Sequence, residues 1–355
     1  MTHLVVSISG HGFGHVAQTA PILNELHRLM PNLRITVRSA VPITHLRSRI
    51  HFPFEHLQSE GDIGMVMSSA LDVCAEDSRL AYQAFHTDWE TRVANEALLL
   101  QTLHADYVFS NVGYLALAGA QRTGIGNAAL CSLNWYDIYR HYCGDDDVAA
   151  QIKSCYMNAD AFLRATPGMT MSSLPNLLPV APIADLGENR RDELNRKLSL
   201  SQAQKLILVS MGGIDTRLPI ESWPRLDGVK YLVQQSWRAK HPDAIVLESV
   251  GMSFSDLLSS SDVLLCKPGY GSFVEATYSG VPVSYVNRAD WPESPALVAW
   301  LEQYGVSKEV SRADAHSGEL VHDFASLYTQ ARPQLAAPTG AAQVATWLAG
   351  KLGSI

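Results

Sequence analysis

The sequence predicts an α/β protein built from two doubly wound units, each with a parallel sheet, facing one another across a cleft. Three observations carry this expectation. Short β-branched runs alternate with amphipathic helical stretches through both halves of the chain. The 355 residues exceed one ordinary core and suit two domains of about 150 residues each. In each half, a strand ends in clustered glycines that open onto a helix.

In the first half the strand candidates are 4–8, 33–37, 107–110 and 127–131. Helices fill most of the gaps, the longest expected over 77–104, where Leu80, Phe85, Trp89, Val93, Leu98 and Leu103 recur near helical spacing. Between 167 and 188 the periodicity lapses and Pro167, Pro175, Pro179 and Pro182 cluster, which marks a boundary. The expected domains are therefore 1–170 and 193–355, joined by a linker over 171–192, with the last helix free to pack back on the first domain. The second unit has strands at 205–210, 244–248, 262–266 and 281–286, with helices over 254–259 and 272–279. No repeat of 20 to 50 residues is visible.

Composition narrows the function classes. With 27 Lys and Arg against 35 Asp and Glu, the net charge of −8 argues against a nucleic-acid surface. The run Asp145-Asp146-Asp147 reads as a solvated loop. No apolar stretch approaches the ~18 residues of a membrane span. The N-terminus leads straight into a strand, so a cytoplasmic protein is expected, with peripheral membrane contact left open. Five cysteines, at 74, 131, 143, 155 and 266, form no C-x-x-C pair, and the thirteen histidines show no H-E-x-x-H. Neither a disulfide framework nor a metal site is expected, and Cys131 and Cys266 read as small hydrophobes in strands.

The first glycine cluster, Ser9-Gly10-His11-Gly12-Phe13-Gly14-His15, follows the run Leu4-Val5-Val6-Ser7-Ile8 and precedes an amphipathic helix. Glycines there allow close backbone approach, and the free N–H groups of the helix end favour an anion or polar oxygen. The same residues can also simply shape a βα turn. The spacing is G-x-G-x-G rather than G-x-G-x-x-G, and the next strand ends without an acidic residue, which disfavours NAD. No G-x-x-x-x-G-K-[ST] cradle for a nucleoside triphosphate is present.

The second half repeats the logic. Met211-Gly212-Gly213 turns the chain after one strand, and Lys267-Pro268-Gly269-Tyr270-Gly271 after another, with Ser272 placed to cap the next helix. Glu275 lies three residues beyond Ser272, where it can either complete a capping box or hold the hydroxyls of a ribose. Asn287-Arg288-Ala289-Asp290 follows the next strand, at the sheet edge where open α/β folds bind ligands.

These motifs, together with Asn134-Trp135-Tyr136-Asp137-Ile138-Tyr139, Gly269 to Ala276, Val281-Pro282 and Glu293-Ser294-Pro295, resemble the glycosyltransferase-like N-terminal domain of plant L-arabinokinase over most of the chain. More distantly, Gly10 to His15 and the Gly-x-x-x-x-Glu-Ala helix resemble the MurG-type peptidoglycan N-acetylglucosaminyltransferase and other GT-B nucleotide-sugar transferases. The resemblance implies a GT-B fold whose C-terminal domain binds the nucleotide sugar and whose N-terminal domain presents the acceptor. No kinase motif is present, so sugar kinase activity is not implied.

Residue by residue, the resemblance implies that the N–H groups of Gly212 and Gly213 neutralise the pyrophosphate without a metal. Gly271 and Ser272 do the same from the second loop, alongside Lys267, Gly269 and Tyr270, and Glu275 holds the ribose. Arg288 would offset phosphate charge, and Asp290 or Glu293 would accept hydrogen bonds from the donor sugar. On the acceptor side stand Gly12 and Gly14. His15 is the first choice of base and His11 the second, with Asp137 and Asp62 as substitutes. Trp135 and Tyr136 read either as a stacking platform for the acceptor or as packing.

The implied activity is transfer of a sugar from a nucleotide sugar, UDP-type above others, to a hydroxyl acceptor, metal-independent and inverting. The nucleotide sugar is substrate, and no other cofactor is called for. Two alternatives stand beside it, a nucleotide-sugar 2-epimerase and a noncatalytic nucleotide-sugar-binding protein.

Overall fold

The computed structural model describes residues 2–59, 61–214, 216–331 and 333–353. The N-terminal half runs β1 (His3–Ile8), α1 (Gly14–Leu29), β2 (Arg34–Ser39), α2 (Ile43–Arg49) and β3 (Glu55–Gln58), then a small hairpin of β4 (Met67–Ser69) and β5 (Asp72–Val73). It continues through α3 (Ala75–Thr87), α4 (Trp89–Thr102), β6 (Tyr107–Asn111), α5 (Tyr114–Thr123), β7 (Gly126–Cys131), α6 (Trp135–Cys143), α7 (Asp147–Met157), β8 (Ala161–Ala165) and β9 (Leu177–Val180). The C-terminal half contains α8 (Arg191–Leu198), β10 (Lys205–Ser210), β11 (Val229–Val233), β12 (Ala244–Val246), α9 (Phe254–Ser259), β13 (Val263–Cys266) and α10 (Tyr270–Tyr278). It closes with β14 (Val283–Val286), α11 (Ser294–Tyr304), β15 (Ser307–Val310), α12 (Arg312–Ser317), α13 (Phe324–Tyr328) and α14 (Gly340–Leu352).

Two parallel sheets result, ordered β3-β2-β1-β6-β7-β8-β9 and β12-β11-β10-β13-β14-β15. Buried on both faces, their central strands read as continuous apolar runs, as in β1 and β13. In each sheet the strand order reverses once, between β1 and β6 and between β10 and β13. Open α/β sheets bind ligands beyond the carboxyl ends of the strands at that switch point. In register, Ile8 pairs with Asn111 there, and Ser210 with Cys266. The three glycine loops, after β1, β10 and β13, therefore emerge at switch points.

The structure departs from the sequence reading in several places. The helix expected over 77–104 is two helices, because Asp88, at φ −109° and ψ 38°, leaves the helical backbone and lets Trp89 stack on His86 at 4.8 Å. Leu80 and Leu98, counted in its apolar stripe, are 51% and 62% exposed. The expected linker over 171–192 contributes β9 to the first sheet, where Leu177 pairs with Phe162. Strands β8, β11 and β15 had no clear apolar alternation and were not anticipated. Cys131 and Cys266 do end buried strands, where burial pushes the Cys131 thiol up to about 12.

One apolar core runs through both halves. Val16, Ala20 and Leu23 of α1 share it with Phe273 and Val274 of α10 and with Val344, Ala345 and Leu348 of α14. The C-terminal helix thus returns to the first domain, where Trp347 meets Tyr107 edge to face and Lys351 lies 3.4 Å from Asp160. Among the described residues no helix is long and apolar enough to cross a membrane.

Candidate active site

At the first switch point the loop after β1 is pinned to β6 by the Ser9 N–H, which donates to the Asn111 carbonyl at 2.6 Å. Gly12 takes φ +92°, and nothing lies within 4 Å of where its Cβ would be. His11 folds inward, its ring edge-on to Trp135 at 5.2 Å and stacked over Trp291 at 6.1 Å. Gly64 is required beneath it, since a Cβ there would come within 2.5 Å of the His11 ring. Burial, reinforced by His15, Arg288 and Lys267, pulls His11 down to about 3, so the imidazole is neutral.

Beside it the Asp62 carboxylate accepts from Ser9 Oγ at 3.0 Å and from Trp135 Nε1 at 2.7 Å. Burial raises this acid to about 6 despite both hydrogen bonds. His15, in the first turn of α1, sets Nδ1 2.9 Å from Asn111 Oδ1. Burial lowers it to about 4, the Asn111 bond opposing and Lys267 assisting. At neutral pH it too is a neutral imidazole able to take a proton.

At the second switch point Lys267 lies between the two C-terminal glycine loops. Its stem is 3.4 Å from the Cβ position of Gly212 (φ +86°) and its ammonium 3.8 Å from that of Gly269, the residue preceding α10. Lys267 has no hydrogen-bond or ion-pair partner among the described residues. Burial and the neighbouring Arg288 lower it to about 8, Glu293 opposing. A cation at a helix N-terminus also opposes the helix dipole. Arg288, 3% exposed, lies over the Trp291 face at 4.3 Å, with Nε and Nη2 buried and unpaired. The side-chain oxygens of Ser284, Asn287 and Ser294 around this loop are likewise buried and unpaired. Such concentrated unmet hydrogen-bonding capacity calls for an explanation. An anion carrying several oxygens would relieve both cations at once.

The domains meet around these groups. Gly213 faces Phe13, whose backbone N lies 3.0 Å from the Cβ position, and Gly271 abuts Ala17. The β4–β5 hairpin buries Ala70 and Leu71 in the apolar core of the opposite domain. It is held there by Ala70 N–H donating to Thr216 Oγ1 and by Arg312, 2.5 Å from Asp72. Tyr142 OH donates to the Asp290 carbonyl at 2.9 Å and lies 3.3 Å from its carboxylate. Gly12 and Gly14 remain open, with nothing near their Cβ positions.

Several expectations change on this geometry. Helix α10 starts at Tyr270, two residues early, so Ser272 is inside the first turn rather than capping it, and Glu275 is outside any capping box. Glu275 is not open to a ribose either, being buried and ion-paired with Arg49 of α2. Tyr270 OH donates to the Thr166 carbonyl at 3.0 Å and accepts from Ile183 N–H at 2.9 Å, which makes it a buried strut between segments. Trp135 and Tyr136 are buried in the core, so neither presents an open face to an acceptor. Asp137 is committed to the start of α6, exchanging hydrogen bonds with Asn134 at 2.7 Å.

The sequence reading missed Trp291, Ser132, Gln18 and Arg49. Trp291 follows the Arg288 and Asp290 loop directly, a signal that was available. Gln18 lies one turn after His15 on α1, a local signal that was also available, whereas Ser132 and Arg49 reach the site through tertiary packing.

No family model matches the chain. L-arabinokinase of Arabidopsis thaliana is 26% identical over 333 residues, covering 89% of this chain and 31% of that protein, so the chain spans about a third of the curated relative's length. Among solved structures, the calicheamicin glycosyltransferase CalG4 aligns with a TM-score of 0.64 at 13% identity, over 100% of this chain and 99% of that one. Arabidopsis thaliana UGT89C1 complexed with UDP aligns at 0.58 and 14% identity, over 100% and 98%. A Listeria monocytogenes protein assigned as a UDP-N-acetylglucosamine 2-epimerase aligns at 0.56 and 11% identity, over 100% and 98%. The chain has the GT-B fold, with two parallel sheets that each carry a glycine loop at the switch point.

Proposed function

We propose that this protein is a metal-independent, inverting glycosyltransferase that moves a sugar from a nucleotide diphosphate sugar, UDP-type above others, to a hydroxyl acceptor. The observation that carries the reading is a pair of cations without ion-pair partners among the described residues, the half-buried Lys267 and the fully buried Arg288, at the switch point of the C-terminal sheet. They stand beside the Gly212 loop and the N-terminus of α10, whose N–H groups suit phosphate oxygens. Charge developing on the departing diphosphate would be met by Lys267, Arg288 and the backbone of Gly212, Gly213, Gly271 and Ser272. The unpaired oxygens of Ser284, Asn287 and Ser294, with Asp290, suit donor-sugar hydroxyls, whereas buried Glu293 already accepts from Ser132 Oγ at 2.5 Å and from Trp291 Nε1 at 3.2 Å.

On the other side of the cleft His15 would remove the acceptor proton as its oxygen attacks the anomeric carbon, while the bond to the diphosphate breaks. His11 and Asp62 would line that side, and Gly12 and Gly14 leave room for the acceptor. The ribose role expected of Glu275 is not carried forward, since its carboxylate is held by Arg49.

One observation favours a second reading. Buried Trp135 and Tyr136 leave no aromatic platform for an acceptor, as suits a nucleotide-sugar 2-epimerase, which needs none. Incubation with UDP-sugars separates the two. Nucleotide release that depends on an added alcohol supports transfer, whereas release or sugar epimerisation without any acceptor supports the epimerase. Tight UDP binding with no turnover across acceptors would overturn both in favour of a binding protein.

A further inference from the structure

Glu293, which immediately precedes α11 in the C-terminal half, is joined to His15 by an unbroken series of buried hydrogen bonds crossing the domain boundary. Ser132 Oγ lies 2.5 Å from Glu293 Oε1, and Gln18 Nε2 lies 2.7 Å from Ser132 Oγ. Asn111 Nδ2 is 3.2 Å from Gln18 Oε1, and Asn111 Oδ1 is 2.9 Å from His15 Nδ1. Trp291 Nε1 donates to the other carboxylate oxygen at 3.2 Å. All five linked side chains are buried.

The direction of this series follows from its end. A carboxylate only accepts, so the Ser132 hydroxyl must give it its hydrogen and is left as acceptor toward Gln18. Gln18 then presents its NH2 to Ser132 and its oxygen to Asn111, which in turn presents its own oxygen to His15. The imidazole must therefore carry its proton on Nδ1 and keep the lone pair on Nε2. An amide orientation or a histidine tautomer is otherwise ambiguous; here the distant charge sets the whole series, and the His15 carbonyl, 3.4 Å from Asn111 Nδ2, favours the same orientation of Asn111. Bonds aligned head to tail also polarise one another in a dry interior.

We infer that Glu293 is a positioning residue for His15, holding it through Ser132, Gln18 and Asn111 in the Nδ1–H tautomer whose Nε2 can act as base. Because Glu293 comes from the opposite domain, His15 is set in this form only when the two domains are together. The other groups facing His15 are His11, Lys267, the Cys131 thiol at 3.7 Å from Nδ1 and the Trp135 ring at 5.9 Å, and none of them supplies a negative charge. The inference rests on the reading of His15 as base for its meaning in catalysis, but the tautomer itself is measurable without substrate.

The test is 15N NMR of the histidine rings in the full chain, for the wild type, Glu293→Gln and Ser132→Ala, with Ser132→Thr as the conservative rescue. Gln at 293 can donate to Ser132 and so frees the series to reverse, opposed at Asn111 by the long 3.4 Å contact of its Nδ2 with the His15 carbonyl. The wild type and Ser132→Thr are expected to show His15 protonated on Nδ1 alone, while Glu293→Gln and Ser132→Ala shift a substantial fraction to the Nε2–H form. Ser132→Ala leaves the charge in place, so it keeps the test decisive if Glu293→Gln does not fold. Folded variants that retain the pure Nδ1–H tautomer would overturn the inference. Coupling of the tautomer to residue 293 in a protein that transfers no sugar would instead leave it standing and remove the transferase reading.

Discussion

Arg49 of α2 and Glu275 of α10 form a buried ion pair across the boundary between the two domains, with Asp185 3.7 Å from the same guanidinium. Removing one partner of a buried pair leaves the other charged and dry, at a cost of about 3–5 kcal/mol. Arg49→Ala and Glu275→Ala are each expected to lose stability on that scale in urea unfolding. The apolar double variant Arg49→Met/Glu275→Leu should recover most of it. Glu275→Ala at wild-type stability would show that the pair holds nothing together.

Lys267 presents the opposite case, a half-buried cation whose charge is disfavoured by its surroundings and whose removal should stabilise the protein. Its folded pKa lies below the unfolded value, at about 8, so the folded state binds fewer protons between there and about 10.4, and stability must rise with pH across that window. Lys267→Met is expected to gain about 1–3 kcal/mol at neutral pH, since one pKa unit is worth about 1.4 kcal/mol. The same variant should lose the alkaline rise. Thermal unfolding from pH 7 to 10 checks both, and a variant less stable than the wild type would refute the account of Lys267.

Acid should act through the histidines. His11, His15 and His45 are all depressed by burial, to about 3, 4 and 4. Each contributes a loss of stability as pH falls from about 6.5 through its folded value, because only the unfolded state takes up the proton. Asp62, raised to about 6, works in the other direction over part of that window. His3 and His86 are lowered in the same way and buried Glu275 is raised like Asp62, so with five groups against two the melting temperature is expected to fall between pH 6.5 and 4. His11→Gln and His15→Gln should each flatten that slope, and an unchanged slope would show that these rings are not kept neutral by folding.

Two glycines separate conformational strain from steric need. Gly12 and Gly64 both have positive φ, +92° and +63°, but only Gly64 has a neighbour in the way of a Cβ, the His11 ring. Gly12→Ala should cost only the backbone term of about 1–2 kcal/mol. Gly64→Ala should cost more, because it also displaces His11 from between its two tryptophans. Equal losses in denaturant titration would argue against the seating of His11 on Gly64.

How much of this was legible in the sequence follows from the range of each interaction. Central parallel strands such as β1 and β13 announce themselves because burial on both faces demands unbroken apolar runs. Edge strands β3 and β15, partly exposed, carry no such run and were missed. The glycine loops were visible with their histidines and Lys267, since glycines clustered at a strand end are a local signal. What Glu275, Tyr270 and Trp135 do was not visible, because Arg49, Thr166 and Asp62 lie 226, 104 and 73 residues away in the chain. Sequence spacing suggested that Glu275 caps a helix or binds a sugar. A partner from the other domain decided otherwise.

The central claim is that Lys267 and Arg288 are the cations of a nucleotide diphosphate site. The most direct measurement is calorimetric titration of UDP into the wild type and into Lys267→Met, both checked for folding, with GDP, dTDP and CDP as comparisons. The account expects the wild type to bind UDP and the more stable Lys267→Met to lose at least tenfold in affinity. Equal affinity in the two proteins, or no binding of any of the four nucleotides by the wild type, would contradict it.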